Sequence, residues 1–338
     1  MLRRLAHWLQ PIALLLAGVA ILWFLWIQWP ALRSYAWAWD ARWFGVACAA
    51  ALASWLLEVN IWRRLLADMG GGIPVPAGYR VWFLSAVVRY IPGNIWQPLS
   101  LTLYGKRYGN QPEAVITSVI LYQVITLLAA APIVVVYFTW LDHTSAAALW
   151  LVQLPRGLVW VALGPILLFL ARPHWLTALL DWALVRMGRP PLQARLRTGT
   201  LLWAISVALV GWLLWGITFM AITYAVADAS VIDRQAMALP LITAYPIAYA
   251  VGFLSLLTPS GFGVREGVLL LLLSPPLSAA VVTVIALATR IAIMVGELLL
   301  ALLAAPFERA AAGQATTPDA RLHTPTPHEG ELRPADPA

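Results

Sequence analysis

The sequence predicts an all-α polytopic membrane protein, with about six full spans, two re-entrant broken helices and inverted repeats. Three observations carry this. Of 338 residues, 62% are hydrophobic and 11% charged, with a mean hydropathy of +0.79, far too apolar for an ordinary soluble domain. Several apolar runs reach the ~20 residues that a helix needs to cross a bilayer. Two stretches, residues 89–97 and 256–267, crowd Pro, Gly and charge into otherwise apolar surroundings. The short alternating segments of a membrane β-barrel are absent from the sequence.

Arg3 and Arg4 precede the charge-free run 11–29, which puts the N-terminus in the cytoplasm. That run is too long for a signal-peptide core and no small-residue cleavage site follows it, so it reads as an uncleaved first span. The second span, 43–62, contains Glu58 and Asn60, and Cys48 reads as a packed thiol. A single cysteine leaves no intrachain disulfide framework. The loop 63–80 carries Arg63, Arg64 and Arg80 against Asp68, a cytoplasmic balance.

Residues 81–99 are too short and too broken for a span. They read as re-entrant, turning at Pro92-Gly93-Asn94, and Lys106 and Arg107 then return the chain to the cytoplasm. The third span is 114–140, with Asp142 and His143 outside, and the fourth is about 146–170. Residues 172–197 hold five Arg and one Asp, the strongest cytoplasmic signal. There Trp175, Leu179, Trp182 and Arg186 share one face, as in a short helix lying at the interface. The fifth span is 201–227, and the loop after it suits the outside. Residues 237–257 and 268–273 are apolar on either side of the second break and read as a second re-entrant element. A full crossing by 237–257 would change the span count. The last span, 279–305, holds Arg290 and Glu297, and 306–338 reads as a disordered cytoplasmic tail, leaving residues 1–305 as the membrane domain.

Span, break and span recur. Pro92 lies 30 residues after Trp62 and 22 before Ala114; Pro259 lies 32 after Ala227 and 20 before Ala279. The breaks are 167 residues apart, and the flanking spans run in opposite directions. The halves, about 43–140 and 201–305, are therefore inverted repeats, a plan that places a transporter's site where the halves meet.

Six charges sit at membrane depth: Glu58, Arg89, Arg265, Glu266, Arg290 and Glu297. Each costs about 2.5–3.5 kcal/mol at a helix centre on insertion scales. After each break a helix restarts inside the membrane, and its free N–H groups favour an anion such as a phosphate. Arg89 and Arg265 would add charge-assisted bonds to it. Glu266 would balance Arg265 or face a cationic group or a proton. Arg290 and Glu297 are seven apart on one face with Thr283, a stripe that suits a structural bridge as well as a pathway. Glu58, near the end of its span, reads as snorkelling to the interface. The candidate substrate-binding set is Arg89, Pro92, Gly93, Asn94, Pro259, Gly261, Gly263, Arg265, Glu266, Arg290 and Glu297.

Enzyme chemistry finds few parts. All five His lie outside the spans and no Asp lies within one. Ser260 has no base nearby except Glu266. Neither a catalytic dyad nor a metal site is expected, nor a cofactor, since the phosphate-binding and dinucleotide fingerprints are missing. The net charge of +7 sits in short loops between apolar runs, which fits membrane orientation rather than nucleic-acid binding.

Residues 89–96, Arg-Tyr-Ile-Pro-Gly-Asn-Ile-Trp, resemble the Y-x-P-G element of the lysylphosphatidylglycerol synthase transmembrane-region family. Residues 258–266, Thr-Pro-Ser-Gly-Phe-Gly-Val-Arg-Glu, resemble its later P-x-G-x-G-x-x-E element. The resemblance covers about residues 3–305 and carries over Pro92, Gly93, Pro259, Gly261, Gly263 and Glu266. It implies a flippase-like domain in the bacterial inner membrane, acting on a membrane lipid, with a separate lipid-modifying synthase as a partner. The expected soluble synthase domain does not follow the last span, so aminoacyl transfer is not carried over. The leading expectation is thus a lipid translocase. The alternatives are a proton-coupled transporter of a small polar or polyprenyl-linked solute, using Glu266 or Glu297, and a non-transporting scaffold whose charges are all paired.

Overall fold

The computed structural model describes residues 38–90, 96–141, 156–186, 196–227, 232–254, 263–274 and 276–305, with Trp26, Trp29, Gly188, Pro191 and Gly261. The body of the first span, the first part of the fourth, Pro92, Gly93, Asn94, Pro259, Ser260 and the tail lie outside these residues. The described residues are almost wholly helical, and the protein is an all-α polytopic membrane protein. Five of the helices are long and apolar enough to cross a membrane.

The centre of the fold is an antiparallel pair, α1 (Ala41–Asp68) and α7 (Thr198–Val226). Asp40 caps α1 by accepting from the Arg42 N–H at 3.0 Å. The backbone just before α1 also caps the end of α7, with Asp40 N–H donating to the Ala225 carbonyl at 2.9 Å. Three ring contacts fix the opposite directions along the seam. Trp43 meets Tyr224, Trp55 meets Trp215, and the Arg64 guanidinium lies over Trp203. Midway, the buried Ser54 hydroxyl donates to the Gly211 carbonyl at 3.1 Å. Cys48, expected to be packed, is exposed on the outer side of α1; the packed stripe of that helix runs through Ala47, Ala51, Ser54 and Trp55 instead.

Two short helices follow, α2 (Val75–Ala86), which tightens into a 3-10 turn at Val87–Tyr90, and α3 (Trp96–Lys106). Their 12 and 11 residues give about 18 and 16 Å of helix at ~1.5 Å per residue. Neither helix alone covers a ~30 Å bilayer core. The Ser85 and Ser100 hydroxyls lie 3.0 Å apart, so α2 and α3 pack side by side. Buried Asn110 ties the loop before α2 to the loop after α3. It accepts from the Gly72 N–H at 2.7 Å and donates to the Gly72 carbonyl at 2.9 Å.

Helix α4 (Pro112–Val136) starts with Pro at its first position and runs on into a wide turn at Tyr137–Leu141. A 3-10 segment (Arg156–Leu163) leads into α5 (Gly164–Ala171), and α6 (Pro173–Arg186) then turns off by 89°. Along α6, Trp175, Leu179 and Trp182 are exposed and Leu176 is buried, and Arg186 folds over the Trp182 ring. An exposed apolar stripe at right angles to a span, edged with Trp and Arg, is what the interface favours.

Helix α8 (Arg234–Leu254) corrects one expectation. Residues 237–257 were read as half of a re-entrant element, yet α8 has 21 residues, about 31 Å, and is one of the five span-length helices. Pro240 and Pro246 do not end it. Proline in a membrane helix is tolerated where neighbours accommodate the freed carbonyls. The Thr243 hydroxyl donates to the Leu239 carbonyl at 2.7 Å. Pro246 frees the Ile242 carbonyl, and Gly216 of α7 lies so close to that oxygen that a Cβ there would collide with it. After the second break, α9 (Val264–Leu273) is only 10 residues long, and α10 (Ala279–Ala304) completes the described chain.

Candidate substrate-binding cavity

A cavity of about 440 Å³ lies between α1, α3, α4, α7, α8 and α10. Both broken stretches reach it, Arg89 from the first and Gly261 and Arg265 from the second. Arg290 and Glu297 of α10 line it as well, and Glu58 enters from α1. Most of the remaining wall is apolar or aromatic.

Arg89 follows the end of α2, where the helix has tightened into its 3-10 turn. Its Nη1 donates to Glu297 Oε1 at 3.1 Å. Glu297 is 1% exposed and Arg89 23%, so the carboxylate is the inner partner and the guanidinium faces the cavity.

At the second break, Gly261 and Gly263 have φ of +68° and +79°. These are left-handed values that suit glycine. Gly261 is buried against Gly252 of α8, where an added Cβ would lie 3.0 Å from backbone atoms. Gly263 caps α9, and its N–H donates to Glu266 Oε2 at 2.8 Å. The other oxygen of Glu266 takes the Arg290 Nη1 in an ion pair. Glu266 thus joins the start of α9 to α10.

This bears on three expectations. Glu266 does not balance Arg265 but pairs with Arg290. At the start of α9 its own N3 carboxylate takes the Gly263 N–H, where the helix dipole favours negative charge. Arg290 and Glu297 share a face but bind different partners, Glu266 and Arg89, and Thr283 turns its hydroxyl back to the Ala279 carbonyl.

Arg265 is held differently from the other two arginines. Its guanidinium carbon lies 4.2 Å from the centre of the Tyr249 ring and 5.9 Å from that of Tyr245. Among the described residues no carboxylate pairs with it, and its buried Nε has no hydrogen-bond partner. Cation–π contact with two rings holds the charge at about 0.5–2 kcal/mol per contact. The positions Tyr245 and Tyr249 were not picked out in the sequence, although their i, i+4 spacing puts them on one face.

Glu58 does not snorkel outward. It points into the cavity, which Tyr122 also lines, and accepts from the Trp215 indole N–H at 2.7 Å. Among the described residues, no arginine is within ion-pair distance of it. The signal for this was thin, a lone Glu whose partner lies 157 positions away.

The chain has no match among curated proteins. A family model described as the lysylphosphatidylglycerol synthase TM region matches residues 11–301, and the chain belongs to that family.

Proposed function

We propose that the chain is a lipid translocase that moves a phospholipid or lipid-linked headgroup between leaflets of the inner membrane. The observation that carries this reading is Arg265, a guanidinium in a membrane cavity that rests on tyrosine rings instead of a carboxylate. A planar fork of donors with no anion of its own matches a phosphate. The apolar remainder of the wall suits a lipid more than a free solute.

In this reading the two breaks are tips of re-entrant or half-re-entrant hairpins from inverted halves, and the antiparallel seam of α1 and α7 supports that relation. Both termini are cytoplasmic. The lipid is moved and not chemically altered, so a separate synthase would make it.

The test is reconstitution in liposomes with headgroup-labelled phospholipids, following the label's accessibility to a membrane-impermeant quencher. Arg265→Gln should slow translocation by about tenfold or more, the worth of one charge-assisted hydrogen bond. Its thermal midpoint should stay within a few degrees of wild type. An unchanged rate in a folded variant removes the basis for the reading.

A second reading, proton-coupled transport of a small polar or polyprenyl-linked solute, has Glu58 in its favour. Its hydrogen-bond donor, the Trp215 indole, is neutral, so it can take up a proton without breaking a salt bridge. Dependence of uptake on a pH gradient, lost in Glu58→Gln, would support that reading. The scaffold reading expected every charge to be paired, and Arg265 counts against it.

A further inference from the structure

We propose that Arg89 serves two carboxylates in turn, Glu297 and Glu58, and that a proton on Glu58 decides between them, which couples the cavity to proton movement. This rests on the translocase reading and names what drives it.

The three groups come from three parts of the fold and meet in one cavity. Glu58 enters from α1, Arg89 from the turn after α2, and Glu297 from α10. Arg89 Nη1 donates to Glu297 Oε1 at 3.1 Å, and the Arg89 charge also reaches Glu58. The Glu297 charge reaches Glu58 as well, so a single cation stands between two carboxylates. Such a set titrates as a unit, because ionising one carboxylate changes the hold of the other on the cation.

Position makes Arg89 the member that moves. Glu58 and Glu297 sit inside helices of 28 and 26 residues. Arg89 sits on a four-residue 3-10 turn, where backbone hydrogen bonds are poorer. Its side chain is 23% exposed, towards the cavity, against 1% for Glu297.

Two states follow. With a proton, Glu58 is a neutral acid that accepts from the Trp215 indole and leaves Arg89 to Glu297, the arrangement of the structure. Without it, Glu58 is a second anion before the same cation at membrane depth, where a charge lacking its counter-charge is costly. Arg89 then turns to Glu58, and the link from the first break to α10 opens. The proton is taken from water on one side of the membrane and released to water on the other, and only the O–H bond of Glu58 is made and broken.

The other charged and titratable groups around the cavity are otherwise engaged. Helix α7 meets Glu58 with the neutral Trp215, and α4 brings Tyr122 to the same wall. Tyr245 and Tyr249 of α8 carry Arg265 on their rings, and Arg290 of α10 pairs with Glu266.

The test reads the proton directly. Infrared spectra of the full-length protein in detergent, taken across a pH titration, should show a carboxylic-acid C=O band that is missing in Glu58→Gln. In Glu297→Gln, where Arg89 has one carboxylate left, that band should vanish about one pH unit or more lower than in wild type, a tenfold change in proton affinity. In Arg89→Gln it should persist to about one unit or more higher. No such band in wild type at any pH, or a midpoint that neither variant moves, overturns the proposal. Liposomes with a headgroup-labelled phospholipid as the only cargo, and a trapped pH dye, test the coupling. An imposed pH gradient should drive lipid and proton movement together, both lost in Glu58→Gln and recovered in Glu58→Asp, which keeps the acid. Lipid movement in wild type that is indifferent to the gradient overturns the proposal. The infrared shifts without translocation of any lipid support the Arg89 exchange and defeat the translocase reading alone.

Discussion

Replacing Glu297 by Gln tests whether the Arg89 pair holds the two halves together. The pair spans 208 positions of sequence at 3.1 Å, with the carboxylate 1% exposed. Two unit charges ~4 Å apart attract by about 4 kcal/mol at an effective dielectric of ~20. Removing one partner of a buried pair costs about 3–5 kcal/mol, because the other charge is stranded. Arg89 is 23% exposed towards the cavity, where water screens it, so about 2–3 kcal/mol is the expected loss for Glu297→Gln. Arg89→Gln strands the more deeply buried charge and should cost at least as much. The double variant strands neither charge, so its loss should fall short of the sum by about 2 kcal/mol. Unfolding in mixed micelles, titrated with denaturing detergent and followed by circular dichroism, measures all four proteins. Single variants within about 0.5 kcal/mol of wild type, with an additive double, would refute the reasoning.

Two further predictions concern packing and placement. Gly216→Ala should destabilise by about 1–3 kcal/mol in the same assay, since the new methyl meets the Ile242 carbonyl freed by Pro246. Gly45→Ala, where nothing lies within 4 Å, should be neutral or stabilising by up to ~1 kcal/mol. A spin label on Leu179→Cys, made in a Cys48→Ala background, should report a depth at the headgroup region, whereas a label on the native Cys48 should report the acyl region. Equal depths would contradict the right-angled turn of α6.

Composition and run length made the membrane class legible, because crossing a bilayer demands ~20 apolar residues and nothing subtler. The breaks were legible because Pro and Gly act locally. What was not legible depended on rotation and distance. Glu58 has the same sequence environment whether it snorkels or turns inward, and the packing of α1 on Trp215 decides. Glu266 is adjacent to Arg265 in sequence, yet its place at N3 of α9 directs it to the Gly263 N–H and to Arg290. The second half of the re-entrant reading weakened for a similar reason. Pro246 looks like a stop, but a glycine 30 positions earlier, Gly216, lets α8 continue past it.

Both ion pairs of the cavity close on α10, the last helix described. A chain made from its N-terminus therefore carries Arg89 into the membrane well before Glu297 exists. At synthesis rates of about 5–20 residues per second, those 208 positions take roughly 10–40 s. Over that interval the nascent chain holds Arg89 without its eventual counter-charge, and Glu266 waits for Arg290. Neither ion pair of the cavity can form until α10 has been made.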